Sequence, residues 1–128
     1  VGGQSGSDRV LAASERGHDS ACVERAVALC VEHGFRPHVD FLLGLPGEEE
    51  PDLAATLKLM DRLVERGAKV HGHTFLPLPG TPLRKAPPGV QDEESARSRW
   101  NQALLGRFPR PSGQNICYSF ADVVISHP

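Results

Sequence analysis

The feature that most narrows the fold is an alternation between two kinds of apolar pattern. Between Ser20 and His33, the residues Cys22, Val23, Ala26, Val27, Cys30 and Val31 recur at the three-and-four spacing of an amphipathic helix, and Gly34 supplies a left-handed stop. The run Val39-Asp40-Phe41-Leu42-Leu43 is short, apolar on both parities and closed by Gly44-Leu45-Pro46-Gly47. Such a segment suits a strand covered on both faces, as parallel strands are. The pair of patterns then repeats. Glu48, Glu49 and Glu50 open a second helix, where acidic side chains suit the positive end; Leu53, Leu57, Met60, Leu63 and Val64 form its stripe and Gly67 its stop. Ala68 to Leu76 is a second strand-like run, ending in Pro77-Leu78-Pro79-Gly80-Thr81-Pro82. Ahead of these, Asp8 to Ser14 reads as a short helical turn capped by Ser7. Helix, strand, helix, strand in this order predicts an α/β architecture of βα units around a parallel sheet.

Composition limits the size of the core. The 128 residues are 39% hydrophobic and 23% charged, which suffices for one modest core and not for two full domains. Beyond Leu83 the character changes, dividing the chain into 1–83 and 84–128. Residues 84–89 are basic and proline-rich, hence a linker. Asp92 to Phe108 reads as a polar helix carrying Trp100, Leu104 and Leu105, and Ile116 to Ser126 as a strand or an irregular, divergent tail. No apolar run approaches the roughly 20 residues of a membrane span. A formal charge of −2 gives none of the basic excess that marks nucleic-acid binders. The three cysteines, Cys22, Cys30 and Cys117, are too scattered for a disulfide framework and lack the CxxC pairs of a metal site. Cys22 and Cys30 are expected to be core thiols. A reducing, cytoplasmic setting follows, with no signal peptide visible.

Chemistry is expected at the carboxyl ends of the strands, where the loops of a parallel sheet gather. Gln4-Ser5-Gly6-Ser7, Gly44 to Glu48 and Leu76 to Thr81 occupy such ends, either as a binding rim or as ordinary βα turns. Asp40 is more telling. An ionised carboxylate inside an apolar strand costs several kcal/mol unless something satisfies it. Strand parity places Asp40 with His38 and Leu42. It either accepts hydrogen bonds from a ligand's hydroxyl or ammonium group or pairs with Arg16 or Arg36. His71 and His73 share one strand face with Phe75, and with Asp40 they suit a metal-dependent hydrolase. A non-catalytic α/β interaction module is the third reading.

The ordered series Gly3-Gln4-Ser5-Gly6-Ser7-Asp8-Arg9-Val10-Leu11, Arg16-Gly17-His18, Val39 to Glu48 and Pro79-Gly80-Thr81-Pro82 resembles the second half of a radical S-adenosylmethionine (SAM) domain. Similar series occur in methylthiotransferases, in oxygen-independent coproporphyrinogen oxidases and in radical SAM proteins with a cobalamin-binding domain. The wording KVHGHTFLPLPGTPL is nearest to the last group, which raises cobalamin as a further cofactor. The resemblance implies a partial (β/α)6 TIM-like barrel, here from the end of the fourth strand through the sixth, so that the opening residues are a strand tip and not a tag. It implies a cofactor pocket containing Gln4, Ser5, Arg16, Asp40 and Leu42. Gln4 would bond the methionyl part, Arg16 a carboxylate, and Asp40 the ribose hydroxyls or amino group; Leu42 would pack on adenine. It also implies a [4Fe–4S] cluster whose CxxxCxxC ligands lie upstream of Val1, a reductant such as flavodoxin or ferredoxin, and methyl or methylthio transfer. The substrate, whether small molecule, RNA or protein, stays open. By this reading the chain alone lacks the other half of its barrel and is inactive.

Overall fold

The computed structural model describes residues 1–87, 118–119 and 122–125. Its elements run β1 (Gly2–Gln4), α1 (Asp8–Ala13), α2 (Ser20–Glu32), β2 (His38–Leu43), α3 (Glu50–Glu65), β3 (Lys69–Thr74), β4 (Tyr118–Ser119) and β5 (Asp122–Ile125). β1, β2 and β3 are parallel and adjacent. Parallel neighbours need a crossover, and the helices provide it: α1 and α2 between β1 and β2, and α3 between β2 and β3. This is the expected α/β arrangement, seen as three parallel strands.

Local chemistry sets the helix ends. Ser7 caps α1 by accepting from the Val10 amide at 3.4 Å, and Asp19 caps α2 by accepting from the Cys22 amide at 2.7 Å. In α3, Glu49 and Asp52 form a reciprocal capping box, with Pro51 in the first turn. Gly34 and Gly67 follow α2 and α3 with φ of +78° and +95°, the left-handed geometry the sequence predicts for them.

The core lies between the helices and one face of the sheet. Val39, Phe41 and Val70 from the strands meet Val23 and Val27 of α2 and Leu53, Leu57, Leu59, Met60, Leu63 and Val64 of α3. The α3 stripe is as predicted, with Leu59 added. The α2 stripe is narrower. Only Val23 and Val27 are buried on that helix, while Cys22 and Val31 are exposed and Cys30 is half-buried. The expectation that Cys22 and Cys30 are core thiols is therefore corrected. A helix that meets its neighbours along one line turns the residue next to that line by about 100° towards solvent.

Two short strands fall within the stretch read as a strand or an irregular tail. β5 continues the sheet antiparallel to β3, and β4 pairs with β5, giving the order β1-β2-β3-β5-β4. The polar helix expected over Asp92 to Phe108 lies outside the described residues. Among the described residues, no helix is long and apolar enough to cross a membrane.

Candidate functional site

The two faces of the sheet do different things. A Cβ on Gly3 would stand 3.0 Å from Val39 Cγ1 and 3.1 Å from Phe41 Cζ, so Gly3 faces the helices. Gly2 and Gln4 lie on the opposite, inner face. There Gly2 is registered with Asp40, Asp40 with His71, and Leu42 with His73. In a parallel ladder such partners point to the same side.

Gln4 and Arg16 converge over Gly2. A Cβ at Gly2 would meet Gln4 Nε2 at 3.0 Å and Arg16 Nη2 at 3.3 Å, so the bare glycine leaves room for an amide and a guanidinium to come together. The backbone is bent to deliver them. Gln4 has φ +62° where the register shifts between Gly2 and Gln4. Glu15, next to Arg16, has φ +52°. Non-glycine residues adopt this conformation at a cost, and they do so preferentially at binding sites.

Asp40, the carboxylate in the middle of the sheet, is partly exposed on this face. Its Oδ1 lies 3.5 Å from His71 Nδ1 and 3.6 Å from His73 Nε2. The two histidines of β3 are thus neighbours of Asp40 on this face. The His38 ring is 5.1 Å from that of His71. Burial pushes the His71 pKa down, with smaller contributions in the same direction from His38, Lys69 and His73, against an opposing one from Asp40. His71 is therefore held towards its neutral form.

The remaining loop residues form a brace beneath the site. Ser5 is fully buried; its hydroxyl lies 3.2 Å from Thr56 Oγ1 and accepts from the Ser7 amide at 3.1 Å. The Gly6 amide donates to Thr56 Oγ1 at 2.9 Å. Ser7 Oγ donates to Asp52 Oδ1 at 2.6 Å, and the Arg9 guanidinium pairs with the Asp52 carboxylate while donating to the Gly47 carbonyl at 2.8 Å. Arg9 first, then Ser7 and the Glu49 amide, hold the Asp52 carboxyl far below the usual carboxylate range. A buried charge is tolerable only with this many partners. In the next loop, Glu48 Oε2 accepts from the Gly44 amide at 2.6 Å, so Glu48 closes the Gly44–Gly47 turn instead of starting the helix.

Of the five residues expected in a pocket, Gln4 and Arg16 converge over Gly2, whose register partner on β2 is Asp40. Leu42 lies two residues beyond Asp40, half-buried against Val10, Leu45 and Phe75. Ser5 points away from that face into the brace, where its hydroxyl shapes the loop. Asp52 and Thr56 had no expected role. Their signal was present in the sequence: Asp52 sits three residues after Glu49, the capping-box spacing, and Thr56 follows it by one turn on a largely apolar helix face.

The profile of the Radical SAM superfamily matches residues 1–77. A tRNA-2-methylthio-N(6)-dimethylallyladenosine synthase of Saccharophagus degradans is 37% identical over 94 residues, 70% of this chain and 20% of the relative. The protein of the same name from Magnetococcus marinus is 40% identical over 98 residues, 73% of this chain and 22% of the relative. The one from Erythrobacter litoralis is 37% identical over 137 aligned positions, covering 98% of this chain and 29% of the relative. The chain thus spans about a fifth to three tenths of the length of these relatives.

Proposed function

Since this chain belongs to the radical SAM superfamily, we propose that its inner sheet face supplies the SAM-binding part of a radical SAM enzyme. The convergence of Gln4 and Arg16 over Gly2, beside Asp40, carries this reading. The donors fit the ligand. A guanidinium suits the methionyl carboxylate, an amide suits the amino acid moiety, and a partly exposed carboxylate accepts from ribose hydroxyls or an ammonium. Leu42, half-buried against Val10, Leu45 and Phe75, offers an apolar contact for the adenine. When bound, SAM supplies a methyl group or, after reductive cleavage, a 5′-deoxyadenosyl radical. Arg16 and Gln4 would hold one end of the molecule and Asp40 its sugar, and such fixed contacts would orient it for reaction.

The cysteines do not fit the iron–sulfur cluster that the family uses. Cys22 is exposed and Cys30 half-buried, eight positions apart along α2, so the described residues offer no three-thiolate set. We assign the cluster ligands to the part of the relatives that this chain does not span. Methylthio or methyl transfer is the reaction class proposed, on the names of the relatives. Those relatives give no support to cobalamin, and the reading does without it. The family match also favours this reading over the hydrolase and interaction-module alternatives.

Calorimetric titration with SAM tests the pocket. Binding is expected, weakened about tenfold or more in Arg16→Met and in Asp40→Asn, the loss expected for a hydrogen bond to a charged group. Absence of binding, or equal affinity in both folded variants, would overturn the reading.

A further inference from the structure

The geometry points to a site for a divalent first-row transition ion, held by Asp40, His71 and His73 on the inner face of the sheet. One ligand atom from each residue lies within 4.8 Å of the other two. The two separations from Asp40 Oδ1, 3.5 Å and 3.6 Å, are long for hydrogen bonds. They are right for something else. Nitrogen and oxygen ligands about 2.0–2.2 Å from a zinc-like ion stand about 3.3–3.6 Å apart at the tetrahedral angle. Two of the three separations therefore already suit one ion, and the third lies within 4.8 Å.

The backbone explains why the spacing is reproducible. His71 and His73 are two apart on one strand, so both side chains leave β3 on the same side. Asp40 is the registered partner of His71, and Leu42 that of His73. The three donors are thus fixed by two hydrogen-bonded strands and not by a loop, which limits the reorganisation that binding requires. Two imidazoles and a carboxylate favour zinc, cobalt, nickel or iron(II) over magnesium or calcium. Three protein ligands leave at least one coordination position open, and the side chains are 45%, 24% and 32% exposed for Asp40, His71 and His73, so an incoming ion or a second ligand can reach it.

The site shares Asp40 with the proposed cofactor pocket but does not depend on that reading. The test uses the chain purified without a histidine tag and stripped of metal, titrated with Co2+ and followed by visible absorption. One Co2+ per chain is expected, with the visible bands of a four- or five-coordinate ion and displacement by Zn2+. His71→Ala and His73→Ala should each weaken binding on the order of a hundredfold. The milder His71→Gln and His73→Gln, checked for an unchanged thermal melt, should do the same. No bound Co2+, affinity unchanged in the folded histidine variants, or a near-ultraviolet thiolate-to-cobalt band showing capture by cysteine would each overturn the proposal. SAM titration of His73→Gln separates the two readings. Retained SAM binding with lost Co2+ supports both, whereas Co2+ binding in a wild-type chain that ignores SAM overturns only the cofactor reading.

Discussion

Gly6 lies directly against the backbone of Thr56: a Cβ on Gly6 would stand 2.5 Å from Thr56 Cα and 2.8 Å from Thr56 N. The same glycine donates its amide to Thr56 Oγ1 at 2.9 Å. The loop that follows β1 is therefore pressed onto the first turns of α3. This contact joins the two ends of the cradle, because β1 carries Gln4 and α3 leads into β3 with its histidines.

Replacing Gly6 by alanine should separate the loop from α3. The obstacle is backbone, including Ala55 O at 2.7 Å, and no side chain can swing away to admit the methyl group. Overpacking of this kind costs about 1–3 kcal/mol. The expected result is a lower urea midpoint in Gly6→Ala. A midpoint equal to that of the wild type would show that the loop is not tightly seated.

Acid should weaken the brace in a definite pH window. The Asp52 carboxyl titrates well below its ordinary value of 3.8 in the folded chain. Its contribution to stability is therefore complete above that value and is lost as pH falls from there through the folded-state pKa. Urea midpoints of wild type and Asp52→Asn should differ by a constant amount between about pH 7 and 5 and draw together below about pH 4. A gap that stays the same down to pH 2 would contradict the assigned role of Asp52.

Gln4 should trade stability for binding. Its φ of +62° is a conformation that glycine adopts without penalty. Relief of that strain, offset by the extra freedom of glycine in the unfolded chain, predicts Gln4→Gly to be between neutral and about 1 kcal/mol more stable. SAM affinity should fall in the same variant, since the side-chain amide is gone. A variant both less stable and unchanged in binding would show that Gln4 serves the fold alone.

Much of the fold was legible because period and punctuation are local properties. Val39 to Leu43 reads as a strand from its own composition, and the structure has β2 at His38–Leu43, buried at Val39 and Phe41 but half-exposed at Asp40, Leu42 and Leu43. Gly34 and Gly67 mark the ends of helices that stop where predicted. The inner-face position of Asp40, His71 and His73 also follows from parity alone. Burial on α2 was not legible in the same way. Cys22 and Val23 are neighbours with similar polarity, and only the line along which α2 meets α3 and the sheet decides that one is covered and the other is not.

The order of the elements, the face of each strand and the kind of donor at each position all follow from spacing along one chain. Which donors meet follows from packing. Strand register set Asp40 against His71, the left-handed turn at Gln4 brought its amide to Arg16 over Gly2, and close packing on Thr56 drew Ser5 away from the pocket into the brace. Those outcomes depend on distances between segments 12 to 51 residues apart, and such distances are fixed only when hydrogen-bonded strands and a packed helix hold the segments in place.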